Sequence, residues 1–172
     1  MIYRSGRFLI VGLGLMGGSY AMGLSRRGYT VTALDTDPAA IQWALEHGLI
    51  SDGASDRQDA VELVSRADYI VLALYPKAIL TWLETYHPYF TPGVLLTDLT
   101  GVKGCFVKQA QALLGTRQEF IPSHPMAGRE TAGIQNADDA MFAGANFIIT
   151  PTDANTPTGI AFAKELAGIL GF

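Results

Sequence analysis

The feature that most constrains this chain is Gly12-Leu13-Gly14-Leu15-Met16-Gly17, a Gly-x-Gly-x-x-Gly turn between the apolar run Phe8-Leu9-Ile10-Val11 and a helix-length segment, Met16 to Arg27. Each glycine answers a different steric demand. The first permits a tight turn out of a strand. The second lets the backbone approach a bulky anion, and the third lets the helix pack closely on the strand. Gly18 adds another small residue on that packing face. A helix amino terminus behind such a turn presents free N–H groups and a partial positive charge. The pattern is common by itself; its place between a strand and a helix gives it weight.

The rest of the chain repeats the same rhythm. Short apolar runs at Phe8–Val11, Thr30–Leu34, Tyr69–Leu74, Val94–Thr97, Glu119–Pro122 and Phe147–Ile149 alternate with amphipathic stretches. The runs are mostly continuous rather than alternating, which means burial on both faces, as in a parallel sheet. Helices are expected over Met16–Arg27, Pro38–His47, Asp59–Arg66, Lys77–Tyr86, Gly104–Leu114 and Pro157–Leu170. Asp37 before Pro38 is a good cap, and Gly48 a good stop. Strands alternating with helices imply right-handed βαβ units. The expected class is therefore α/β, with a doubly wound, mostly parallel sheet and residues 1–172 forming one dinucleotide-binding domain. The chain ends at Gly171-Phe172, directly behind a helix, and the expectation is that it is a domain of a longer protein.

Composition narrows the partners. The chain has 12 Lys+Arg against 16 Asp+Glu, a net charge of −4, and no basic arm, so nucleic acid is not expected. No apolar run reaches the roughly 18 residues of a membrane span, and no membrane partner is expected. The amino terminus does not read as a signal peptide. A single cysteine, Cys105, excludes an internal disulfide and fits a reducing, cytoplasmic setting. No metal site is expected.

A carboxylate marks the second strand. Asp35 follows Thr30–Leu34, about twenty residues beyond the glycine turn, where an acid binds the ribose hydroxyls of a dinucleotide. It also repels a ribose 2′-phosphate, and its neighbours Thr36, Asp37 and Pro38 supply no arginine. NAD is therefore expected ahead of NADP. Arg26 and Arg27 read as a solvated helix end that complements the dipole. The cofactor contacts expected are Gly12, Leu13, Gly14, Leu15, Met16 and Gly17 of the turn, with Asp35 and Thr36. Ligands sit beyond the carboxyl ends of parallel strands, which adds Leu74, Tyr75 and Ile79 on the adenosine side; Tyr75 reads equally well as a packing aromatic. Asp98-Leu99-Thr100-Gly101-Val102-Lys103-Gly104 should lie near the nicotinamide. There Thr100 offers a hydroxyl, Gly101 permits close approach, and Lys103 reads as a surface residue at a helix start.

Ser123-His124-Pro125-Met126-Ala127-Gly128-Arg129-Glu130 gathers a histidine, an arginine and a glutamate between a proline and two glycines. An imidazole can take a proton from a substrate hydroxyl while hydride leaves the same carbon. His47 and His87 read instead as structural residues at helix ends.

The segment His124 to Glu130 resembles the signature of the prephenate dehydrogenases, arogenate dehydrogenases included. Gly12 to Ser19, Asp35-Thr36-Asp37 and Asp98 to Lys103 match the family in the same order, so the resemblance spans essentially the whole chain. It implies oxidative decarboxylation: prephenate would give 4-hydroxyphenylpyruvate, and arogenate would give tyrosine. It implies that His124 is catalytic and takes the proton of the ring hydroxyl. It also implies that Thr100, Gly101, Arg129 and Glu130 face the substrate, with Arg129 either pairing a substrate carboxylate or forming a local ion pair. Many family members carry a serine where this chain has Gly101; either Thr100 replaces that contact or the contact is absent. The family's helical carboxy-terminal domain, which forms a homodimer and completes the substrate pocket, is not in this chain. A β-hydroxyacid dehydrogenase shares the same half but does not call for the histidine segment. A non-catalytic dinucleotide-sensing module is the alternative of another class.

Overall fold

The computed structural model describes residues 2–172. Six parallel strands form one sheet in the order β3-β2-β1-β4-β5-β6. They are β1 (Arg7–Val11), β2 (Thr30–Leu34), β3 (Asp52–Ala54), β4 (Tyr69–Leu72), β5 (Leu95–Asp98) and β6 (Glu119–Ile121). The helices are α1 (Leu15–Arg26), α2 (Pro38–Glu46), α3 (Arg57–Arg66), α4 (Pro76–Tyr86), α5 (Val107–Leu114) and α6 (Pro157–Leu170). Successive strand residues serve opposite faces. Phe8 and Ile10 of β1, with Tyr69 and Val71 of β4, join the core under α1 and α6; Leu9, Val11, Ile70 and Leu72 join the core under α3, α4 and α5. Continuous apolar runs are the sequence record of this two-sided burial. Each large apolar side chain so buried contributes roughly 1.5–3 kcal/mol.

Local chemistry sets the ends. Asp37 caps α2 through Oδ1, which accepts from the Ala39 amide at 2.9 Å. Asp56 caps α3, accepting from the Gln58 and Asp59 amides, so that helix starts at Arg57, earlier than the spacing predicts. On α6, Phe162, Leu166 and Leu170 are buried, while Ile160 and Ile169 are half-buried.

Three expectations change. The sheet contains β3, whose Asp-Gly-Ala sequence has no apolar run to announce it. The run at Phe147–Ile149 does not join the sheet. It lies in β8 (Asn146–Ile149), which pairs antiparallel with β7 (Ser123–Met126), the histidine segment itself. Pro122, which has no N–H to donate to a ladder, lies between β6 and β7. Finally, α5 begins at Val107 rather than Gly104; the preceding residues form turns.

Candidate functional site

The strand order reverses between β1 and β4, and the crevice at their carboxyl ends is where such sheets bind ligands. The glycine turn lies there. Gly12 has φ +94°, and a Cβ on it would stand 2.6 Å from the Ala73 carbonyl oxygen. A Cβ on Gly17 would stand 1.8 Å from the Gly12 carbonyl oxygen, so helix and turn touch backbone to backbone. Gly14 differs: nothing lies within 4 Å of the position a Cβ would take, and the residue is exposed. No side chain caps α1, and its first turn faces the crevice. This cradle fits a dinucleotide pyrophosphate.

Asp35 is built into the turn. Its Oδ2 accepts from the Leu13 amide at 2.5 Å and its Oδ1 from the Asp37 amide at 2.8 Å. A cavity of about 790 Å³ opens beside it, with Gly12, Thr36, Arg57, Ala78, Trp82 and Tyr86 on its walls. A second cavity of about 570 Å³ runs from Gly14–Gly17 to Thr100–Val102 and Thr131–Gly133. Leu74 and Tyr75 border both cavities, and Tyr75, 86% exposed, is not packed into the core of this chain. Two cofactor expectations shift. Ile79 is fully buried in the core, and Ala78 and Thr81 form the wall in its place. The Leu13 side chain is also buried, leaving only its backbone in the turn, where Asp35 engages the amide.

The loop after β5 is organised by Asp98, which has no solvent exposure. Its Oδ2 accepts from the Thr100 amide at 3.0 Å, the Thr100 hydroxyl at 2.6 Å and Lys103 Nζ at 2.5 Å, and its Oδ1 accepts from the Ser123 amide at 3.1 Å. Lys103 Nζ also donates to the Ser123 carbonyl at 2.5 Å. Lys103 is therefore a half-buried clasp rather than a surface residue. Burial lowers its pKa from the usual value, and Asp98 opposes that shift. The Thr100 hydroxyl, expected to face substrate, is turned inward onto Asp98.

The clasp holds the peptide just ahead of His124. The imidazole is half-buried, with Nδ1 3.3 Å from the Leu99 carbonyl oxygen. A Cβ at Gly101 would lie 3.3 Å from His124 Cε1 and 3.5 Å from Nε2, so glycine keeps the space over the ring open. If Nδ1 carries the proton that Leu99 accepts, Nε2 is the basic nitrogen. Arg129 forms an ion pair with Asp138 at 2.6 Å, and Glu130 is exposed; neither lines the cavities described. The segment between them and Asp138 packs on α1: a Cβ on Gly18 would crowd Ile134 and Ala137. Sequence reasoning missed Lys103 and Arg57, whose partners and pocket come from elsewhere in the chain. His47 and His87 each set Nδ1 against a backbone carbonyl of their own helix, as structural residues do.

Comparison with known proteins agrees with this geometry. The prephenate dehydrogenase of Bacillus subtilis (strain 168) is 29% identical over 161 residues, covering 92% of this chain and 43% of that protein. The crystal structure of prephenate dehydrogenase from A. aeolicus in complex with hydroxyphenyl propionate and NAD+ superposes with a TM-score of 0.89 at 27% identity, covering 96% of this chain and 57% of that one. The Synechocystis arogenate dehydrogenase superposes with a TM-score of 0.87 at 30% identity, with the same coverage of 96% and 57%. The chain thus spans about half the length of these relatives. The family model described as "Prephenate dehydrogenase, nucleotide-binding domain" matches residues 20–171, and the chain belongs to that family.

Proposed function

We propose that this chain is the cofactor-binding half of an NAD-dependent dehydrogenase that converts prephenate to 4-hydroxyphenylpyruvate, a step of tyrosine biosynthesis. The observation that carries the reading is His124, with Nδ1 turned to Leu99 and Nε2 beside the open space at Gly101, next to the cavity at the start of α1. NAD, when bound, supplies the hydride acceptor. The turn at Gly12–Gly17 holds the pyrophosphate, and Asp35 holds the adenosine ribose. His124 Nε2 accepts the proton of the ring hydroxyl as hydride leaves the same carbon, and returns it to the phenolate oxygen once carbon dioxide has left. Loss of carbon dioxide and aromatisation supply much of the driving force, so the protein chiefly positions donor and acceptor.

Arogenate is the second reading, favoured by the likeness to the Synechocystis enzyme. In both readings the working protein is a homodimer, with the substrate pocket completed outside this chain. The test is turnover by the intact protein with prephenate and with arogenate, each with NAD and NADP, followed by the absorbance of the reduced nicotinamide. Turnover of prephenate with NAD is expected. Turnover of neither substrate, with NAD still bound, would leave a dinucleotide-binding module without this chemistry.

A further inference from the structure

The walls of the adenosine-side cavity carry charges of both signs, and their commitments differ. Both acids are engaged: Asp35 accepts from the Leu13 and Asp37 amides, and Asp56 from those of Gln58 and Asp59. Both cations, Arg57 and Lys77, line the cavity with no side-chain hydrogen bond or ion pair among the described residues. The charged side chains still free to donate to a ligand are therefore the two cations.

Sheet register decides where that charge falls. β2 pairs with β3 in parallel, with Leu34 opposite Ala54, and the Asp35 amide donates to the Ala54 carbonyl at 3.2 Å. The chain leaving β3 therefore runs beside Asp35, and Arg57 opens α3 two residues after Ser55. Tyr86, on the α4 wall of the same cavity, feels the positive charge: burial raises its hydroxyl pKa and Arg57 opposes the rise. Lys77, by contrast, follows β4, on the other side of β1 from β2.

We propose that Arg57 is a specificity-determining residue of the cofactor site, offering the ribose 2′-phosphate of NADP a cationic partner so that the pocket admits NADP as a second, weaker cofactor. The inference rests on the assignment of this cavity to the adenosine half of NAD. Asp35 repels the 2′-phosphate, and Arg57 offsets part of that repulsion through a charge-assisted hydrogen bond. Discrimination between the cofactors is then a balance of the two residues rather than the work of Asp35 alone.

The test is calorimetric titration of the chain, and of its Arg57→Ala, Arg57→Lys and Lys77→Ala variants, with NAD and with NADP. The unaltered chain is expected to bind both, NAD more tightly. Arg57→Ala should weaken NADP about tenfold while NAD stays within about twofold, and Arg57→Lys should fall between. Lys77→Ala should move both cofactors together. An unaltered chain that binds NAD but not NADP overturns the proposal, as does Arg57→Ala leaving the ratio of affinities unchanged, or Lys77→Ala weakening NADP alone. Binding of neither dinucleotide would overturn the adenosine assignment itself.

Discussion

Lys103 Nζ lies 2.5 Å from Asp98 Oδ2, and the same ammonium reaches the Ser123 carbonyl at 2.5 Å, so one ion pair ties the loop after β5 to the strand that carries His124. Asp98 is fully buried, and its attraction to Lys103 is little screened. Removing one partner of such a pair leaves an uncompensated buried charge, at a cost of about 3–5 kcal/mol. Lys103→Met should therefore lower unfolding stability by about that much in a denaturant titration. The double variant Lys103→Met/Asp98→Asn should recover a good part of the loss. A single variant as stable as the unaltered chain would show that the pair holds nothing.

His124→Ala should separate chemistry from binding. The imidazole is half-buried beside Gly101 and is absent from the walls of both cavities. In the intact protein, loss of a general base lowers turnover by about 10²–10⁴-fold. NAD affinity, read by calorimetry on the same variant, should stay within about twofold. Unchanged turnover would remove His124 from the mechanism.

The parts of this molecule that could be read from sequence are those whose signal is local. The glycine turn declares itself because three steric demands fall within six residues, Gly12 to Gly17. The buried strands declare themselves because both faces are covered. By contrast, β3 is Asp-Gly-Ala, and only its pairing with β2 makes it a strand. Lys103 looks like a helix-start surface residue until the fold brings the Ser123 carbonyl to it. Arg57 is distant from Asp35 in sequence, and β2–β3 pairing places both on one cavity. The Thr100 hydroxyl was legible as a donor but not in its direction, because a buried Asp98 takes it.

Acid should loosen the Arg7–Asp68 pair. Burial pushes the Asp68 carboxyl up, but hydrogen bonds from the Arg7 side chain and backbone more than offset this, and its pKa lies below the usual carboxylate value. A carboxyl depressed in the folded state contributes stability that is fully present above its unfolded pKa, about 3.9, and is lost as pH falls through the folded value. Both side chains are partly exposed, 46% for Arg7 and 40% for Asp68, so the contribution is about 1 kcal/mol or less. Asp68→Asn should therefore destabilise the chain slightly at neutral pH and not at all at the acid end. A difference that persists undiminished below the folded pKa would rule out the ion pair as its source.

Two alanine substitutions in the glycine turn should fail in opposite ways. At Gly17 a Cβ would sit 1.8 Å from the Gly12 carbonyl oxygen, a backbone atom that can move only if the turn and α1 part. Gly17→Ala should cost about 1–3 kcal/mol of stability through overpacking, seen as a fall in Tm without any ligand. At Gly14 nothing lies within 4 Å of the added Cβ, and φ is −70°, so alanine fits the backbone as it stands. Gly14→Ala should melt within a degree or so of the unaltered chain, because alanine there meets neither crowding nor backbone strain. Its Cβ would stand instead where the pyrophosphate approaches the first turn of α1, and NAD affinity should fall about tenfold or more. Melting curves with and without NAD decide the matter. Equal losses of stability in both variants, or full NAD affinity in Gly14→Ala, would mean that the second glycine does not face the cofactor.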